Sequence, residues 1–208
     1  MSIDQWIALA VFAFVSSITP GPNNLMATAS GARFGLRRTI PQVAGVTFGF
    51  TMLVWLAASG VAIVVVEHPL LGQSLAAIGY AYLGWLSFKL VAAAFRSPDG
   101  APSKVTALRP LTFWQAAAFQ FANPKGVMMA LSTATTFLAG PKQSIAAIVA
   151  VGLVFAMINF PCVGAWALMG ARLRGWLEDE SAAWRMRAFN GAMGALLIAT
   201  VIWMIALR

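Results

Sequence analysis

A chain of 208 residues that is 60% hydrophobic and only 10% charged is built for a bilayer, because a soluble domain of this size carries roughly a quarter charged residues. Its net charge of +8 comes from basic residues in short loops between apolar segments, with no basic face carrying interleaved aromatics, which excludes nucleic acid as a partner. The single Cys162 lies in an apolar segment, so no disulfide framework is possible within the chain, and it reads as a small buried hydrophobe.

Six transmembrane helices are predicted, at about 5–31, 40–66, 69–95, 111–139, 143–171 and 184–207, each meeting the requirement of about 20 mostly apolar residues. The first begins Met1-Ser2-Ile3-Asp4-Gln5, without Lys or Arg, and its apolar run continues past Pro22 to Ala32. It reads as a retained helix, since a signal peptide wants a positive n-region and a small-residue cleavage site. The fourth, 111–139, is interrupted only by Lys125. Tryptophans such as Trp6, Trp85, Trp176, Trp184 and Trp203 fall mostly near span ends, as interfacial anchors do.

Orientation follows from the basic residues. Arg33, Arg37 and Arg38 follow helix 1; Lys89, Arg96, Lys104 and Arg109 follow helix 3; Arg172, Arg174, Arg185 and Arg187 follow helix 5. The opposite side has only Lys142 and Arg208. The crowded side is expected to be cytoplasmic, with both termini facing outward. Helix 1 then runs inward and helix 4 outward, so two three-helix halves, 1–95 and 111–208, would form an inverted repeat joined by a cytoplasmic linker, 96–110, rich in Pro, Gly and Ser. A shift of 104 residues sets Thr19-Pro20 against Asn123-Pro124 and lays Arg38-Thr39-Ile40 over Lys142-Gln143-Ser144. The acidic run Glu178-Asp179-Glu180 reads as a solvated loop pairing with nearby arginines rather than a metal site.

Two segments carry the chemistry. Thr19-Pro20-Gly21-Pro22-Asn23-Asn24 can hardly continue a regular helix, and Pro124 with Gly126 breaks a second one beside Lys125. Paired interrupted helices at corresponding places in two halves point to a transporter's substrate site, and an intramembrane ionisable residue is a functional-site hypothesis by default. A half-helix N-terminus offers free N–H groups to a carboxylate, and a C-terminus offers carbonyls to an ammonium. Opposed broken helices therefore suit a zwitterion. The expected substrate-binding set is Thr19, Pro20, Gly21, Pro22, Asn23, Asn24, Gln120, Asn123, Pro124 and Lys125. Lys125 would hold the substrate carboxylate or alternate its protonation. Asn159-Phe160-Pro161 makes a third expected break, either a kink relieved by the asparagine or a gate. Gly45, Gly49, Gly152 and Gly164 read as places where helices approach closely.

No cluster of carboxylate, His or Cys ligands lies within the helices, which disfavours a divalent-metal exporter. The only histidine, His68, sits at an outer edge with no nucleophile motif near it, which disfavours an intramembrane enzyme. A channel lined by the broken helices is the other alternative. No cofactor is expected. The lack of mid-membrane acids argues for a neutral or hydroxylated substrate over a strongly cationic one.

At these residues the chain resembles the LysE/RhtB family of amino-acid exporters. The resemblance rests on Thr19-Pro20-Gly21-Pro22-Asn23, on Gly31-Ala32-Arg33-Phe34-Gly35 with Arg37, and on Asn123-Pro124-Lys125. Gly45 and Gly49, Tyr82-Leu83 with Lys89, and Arg109-Pro110 with Phe113 add to it. It implies an all-α exporter of amino acids or close derivatives in the bacterial inner membrane, with six helices in two inverted halves. It further implies protons as the coupling ion, by antiport, and a homodimer.

Overall fold

The computed structural model describes residues 1–60, 68–95, 110–138, 144–179 and 182–206. The linker 96–109, the end of the second expected span, and Glu67, Lys142, Glu180 and Arg208 lie outside the described residues.

Among the described residues the chain is all helical: α1 (Ile3–Ile18), α2 (Pro22–Phe34), α3 (Leu36–Ala58), α4 (Pro69–Ala94), α5 (Phe113–Ala122), α6 (Pro124–Phe137), α7 (Ile145–Leu177) and α8 (Trp184–Ala206). Among the described residues four stretches are long and apolar enough to cross a bilayer: Leu36–Ala58, Leu70–Ala94, Ile145–Leu177 and Trp184–Ala206. α1 and α2 together qualify as a fifth, bent by 54° at their junction. The chain is a multi-pass membrane protein.

Local chemistry sets the boundaries. α1 opens on a capping box in which the Gln5 N–H donates to Ser2 Oγ (3.3 Å) and the Ser2 N–H donates to Gln5 Oε1 (2.8 Å). α5 repeats the device with Thr112 and Gln115. α1 ends because Thr19, which precedes a proline, is extended (φ −60°, ψ 135°). Asn123, also before a proline, is extended (φ −88°, ψ 105°) and separates α5 from α6 in the same way. Pro22 and Pro124 each take the first position of the next helix, where the missing N–H costs nothing. α2 turns into α3 at Gly35, whose φ of 79° favours glycine.

Packing depends on small residues that let backbones touch, the expected mode where lipid provides no hydrophobic drive. α2 lies along α7: a Cβ on Gly31 would sit 2.0 Å from the Ala167 carbonyl oxygen, and one on Gly170 2.0 Å from that of Thr28. α3 meets α5 at Gly45 and Gly49, 2.2 and 2.3 Å by the same measure from the Phe113 and Ala117 carbonyls. Gly152 accommodates Trp55, whereas Gly164 faces open space and is not a helix contact. Leu9, Phe50, Val54, Val151 and Phe155 join α1, α3 and α7 in one apolar cluster. Outward faces remain apolar, as at Ile7, Val11, Met157 and Ile202.

Two expectations need correction. α7 runs unbroken from Ile145 to Leu177, past the expected end at residue 171 and straight through Pro161. The ring forfeits one backbone hydrogen bond and is exposed on the outward face, and the helix continues past it without unwinding. In the loop after α7, the acidic residues pair with arginines as expected: Arg174 Nε donates to Glu178 (3.0 Å) and Arg185 to Asp179 (3.2 Å).

Candidate functional site

The two helix breaks meet. α1 and α6 touch, and the N-termini of α2 and α6 both open onto one small cavity. In α2 the first helical hydrogen bond runs from the Leu25 N–H to the Gly21 carbonyl (3.0 Å). In α6 it runs from Val127 to Asn123 (3.0 Å). The N–H groups of Asn23 and Asn24, and of Lys125 and Gly126, therefore have no acceptor within their own helices. Neither helix has a side-chain cap at its N-terminus.

Lys125 crosses between the breaks. Its Nζ donates to the Thr19 carbonyl at 2.9 Å and approaches that of Pro20 at 3.5 Å. Its stem lies flat over Gly21, where a Cβ would be 2.9 Å from Lys125 Cδ. Asn24, buried, donates through Nδ2 to the carbonyls of Ser17 and Thr19, both at 2.9 Å. Trp166 Nε1 donates to the Ile18 carbonyl at 3.0 Å. The frayed end of α1 is thus held by three side chains from three other helices.

Asn23 and Gln120 form a reciprocal amide pair between α2 and α5: Asn23 Nδ2 donates to Gln120 Oε1 (2.8 Å), and Gln120 Nε2 donates to Asn23 Oδ1 (3.1 Å). Gln120 is fully buried and also donates to the Ala116 carbonyl (2.9 Å). Asn159 Nδ2 donates to Ser17 Oγ (3.1 Å), and Thr47 Oγ1 donates to Asn159 Oδ1 (3.1 Å), tying α7 to α1 and α3. Asn123 is 1% exposed, and its Oδ1 has no hydrogen-bond partner among the described residues.

Of the residues singled out in the sequence, Gly21, Pro22, Asn23, Asn24, Asn123, Lys125 and Asn159 line the small cavity. Thr19, Pro20, Gln120 and Pro124 stand behind that lining. Thr19 contributes its carbonyl, because its hydroxyl donates back to the Val15 carbonyl of its own helix. Pro161 faces outward, away from the cavity. Ser17, Thr47 and Trp166 were missed: hydroxyls and an indole inside apolar helices give no local signal until a partner helix is known. The cavity volume is about 20 Å³, room for one water and not for an amino acid.

A larger cavity of about 750 Å³ opens between α2, α4, α5 and α8. Arg33, Lys89, Thr112 and Gln115 line it near helix ends, and Met26, Phe119 and Ala122 line it beside the Asn23–Gln120 pair. Lys89 Nζ sits 3.8 Å from the centre of the Trp85 ring. Among the described residues no group of His, Cys, Asp and Glu can hold a metal ion.

Bilayer-length helices, an interrupted helix bent by 54° and a buried polar centre define a multi-pass membrane protein. Residues 14–206 match the family model described as LysE type translocator. The cysteine/O-acetylserine efflux proteins of Escherichia coli (strain K12) and Shigella sonnei (strain Ss046) are each 30% identical over 163 residues, covering 78% of this chain and 80% of the relative. No solved structure matches the chain. The protein belongs to the LysE type translocator family, and is a transporter rather than an enzyme.

Proposed function

We propose that the protein exports small neutral or hydroxylated amino acids, or close derivatives, from the bacterial cytoplasm across the inner membrane by proton antiport. The observation that carries this reading is the convergence of two proline-led helix N-termini, Lys125 and the unpartnered Asn123 Oδ1 on one cavity. N–H groups without helical acceptors suit a carboxylate, and carbonyls at the end of α1 suit an ammonium. Thr19–Asn24 and Gln120–Lys125 form the substrate site in this reading. The names of the relatives, which specify cysteine and O-acetylserine efflux, support a small neutral substrate.

The pair α5 and α6 serves as the sixth span, broken at Asn123 as the first is at Thr19–Gly21. Two inverted halves, 1–95 and 111–208, joined by the linker 96–110, are supported by matching contacts: α1 and α2 pack on α7, and α5 and α6 pack on α3. The basic residues after α2, α4 and α7 support an orientation with those helix ends in the cytoplasm and both termini in the periplasm. The larger cavity then forms the cytoplasmic approach, with Arg33 and Lys89 drawing in carboxylates and the Asn23–Gln120 pair closing its floor. Asn159 acts as a gate by latching α7 to α1 and α3, with Pro161 softening the helix beside it. The carrier works as a homodimer.

A panel of radiolabelled amino acids loaded into proteoliposomes, with and without a pH gradient, tests this. Efflux of small neutral members, accelerated by the gradient, is expected. Efflux of none of the panel, or metal-stimulated transport in its place, would overturn it.

A further inference from the structure

The end of α1 presents carbonyls that have lost their helical partners. Those of Ser17 and Ile18 are held by short or rigid side chains, Asn24 and Trp166. Thr19 and Pro20 differ: the Thr19 carbonyl also accepts from Asn24 Nδ2 (2.9 Å), but its second lone pair and the Pro20 carbonyl take the ammonium of Lys125, carried on a flexible four-carbon stem. That stem lies over Gly21, the residue whose missing side chain leaves it room. Gly21 and Lys125 line the same small cavity as Asn123, whose Oδ1 is orphaned and which is 1% exposed, and as the first turns of α2 and α6, whose leading N–H groups have no acceptor within their own helices.

We infer that the Thr19 and Pro20 carbonyl oxygens form the seat for the substrate's ammonium group, and that Lys125 occupies this seat in the empty carrier and is displaced from it by substrate. The inference rests on the substrate site proposed above. A primary ammonium and the lysine ammonium present the same charge and the same N–H donors, so one replaces the other at equal hydrogen bonding. The displaced Lys125 turns to the substrate carboxylate, beside the helix N-termini. A zwitterion adds no net charge, so the loaded site carries the charge of the empty one, and no acidic residue is needed. Withdrawal of the lysine stem from Gly21 also enlarges a cavity that otherwise holds about one water. A ligand with an ammonium but no carboxylate would evict Lys125 without giving it a new partner, and would bind poorly.

The test is binding to the purified full-length protein by calorimetry, with O-acetyl-L-serine, ethanolamine and choline as probes, on wild type and on Lys125→Met and Lys125→Gln. Size-exclusion profiles verify that the variants are folded. Both variants vacate the place that the Lys125 ammonium holds at the Thr19 and Pro20 carbonyls and leave the Asn24 bond to Thr19 intact, so ethanolamine should bind about tenfold more tightly than to wild type, while O-acetyl-L-serine weakens by a similar factor. Choline has no N–H to offer the carbonyls and should gain far less. Unchanged or weaker ethanolamine binding in both variants overturns the inference, as does an equal gain for choline, which would mark simple relief of charge repulsion. If O-acetyl-L-serine binds wild type and both variants equally well, the substrate site itself is wrong and the inference falls with it. Loss of O-acetyl-L-serine binding without a gain for ethanolamine removes the inference alone.

Discussion

Asn23 and Gln120, 97 residues apart in the chain, exchange two amide hydrogen bonds at 2.8 and 3.1 Å beside the two helix breaks. Each amide satisfies the other's donor and acceptor in a part-buried setting. Removing one partner strands the other, at a cost of about 1–3 kcal/mol, whereas removing both is far milder. Asn23→Ala and Gln120→Ala should therefore each lower the thermal midpoint in detergent, and the double variant should lose less than the sum of the two. Strict additivity would show that the pair is not coupled.

The α2–α7 crossing makes a second prediction. A side chain at Gly170 would run into the Thr28 carbonyl, with its Cβ 2.0 Å from the oxygen, and neither helix backbone can yield. Gly170→Val should abolish a monodisperse size-exclusion peak. Gly164→Ala, six residues earlier on the same helix, meets nothing within 4 Å and should leave the peak intact with a slightly higher thermal midpoint. Equal behaviour of the two variants would contradict the packing described.

The polar bridge through Asn159 makes a third. Asn159→Ala removes the donor to Ser17 and the acceptor for Thr47. Transport should fall several-fold, because α1, α3 and α7 lose their shared latch at the cavity. Pro161→Ala restores a backbone hydrogen bond and stiffens α7. If α7 bends during the cycle, this variant lowers the maximal rate and leaves substrate affinity unchanged. An affinity loss with an unchanged rate would place Pro161 in binding instead.

Much of the site could be read from the chain because prolines and glycines act on the backbone directly. Thr19-Pro20-Gly21-Pro22 leaves no helical option, and Asn123-Pro124 puts a pre-proline residue beside a charge that has no place in lipid. Pro161 shows the limit of that reasoning. Pro124 takes the first position of a helix, where its missing N–H costs nothing, whereas Pro161 lies inside α7, which continues through it with its turns packed on α2 and α3. Partner choice was equally hidden. Asn23 and Gln120 were each visible as polar residues in apolar surroundings, but nothing in the chain joins them. Trp166 reads as one more membrane tryptophan until α1 ends against it. The same capping box, Ser2 with Gln5 and Thr112 with Gln115, opens α1 and α5.

In the proposed function, the meeting point of the two breaks binds the transported amino acid. Counterflow of O-acetyl-L-serine into proteoliposomes, wild type against Lys125→Ala at equal protein incorporation, tests it most directly. The account predicts at least about a tenfold loss of counterflow, since a charge-assisted contact to the substrate disappears. Counterflow at the wild-type rate from the same amount of folded Lys125→Ala protein would contradict it.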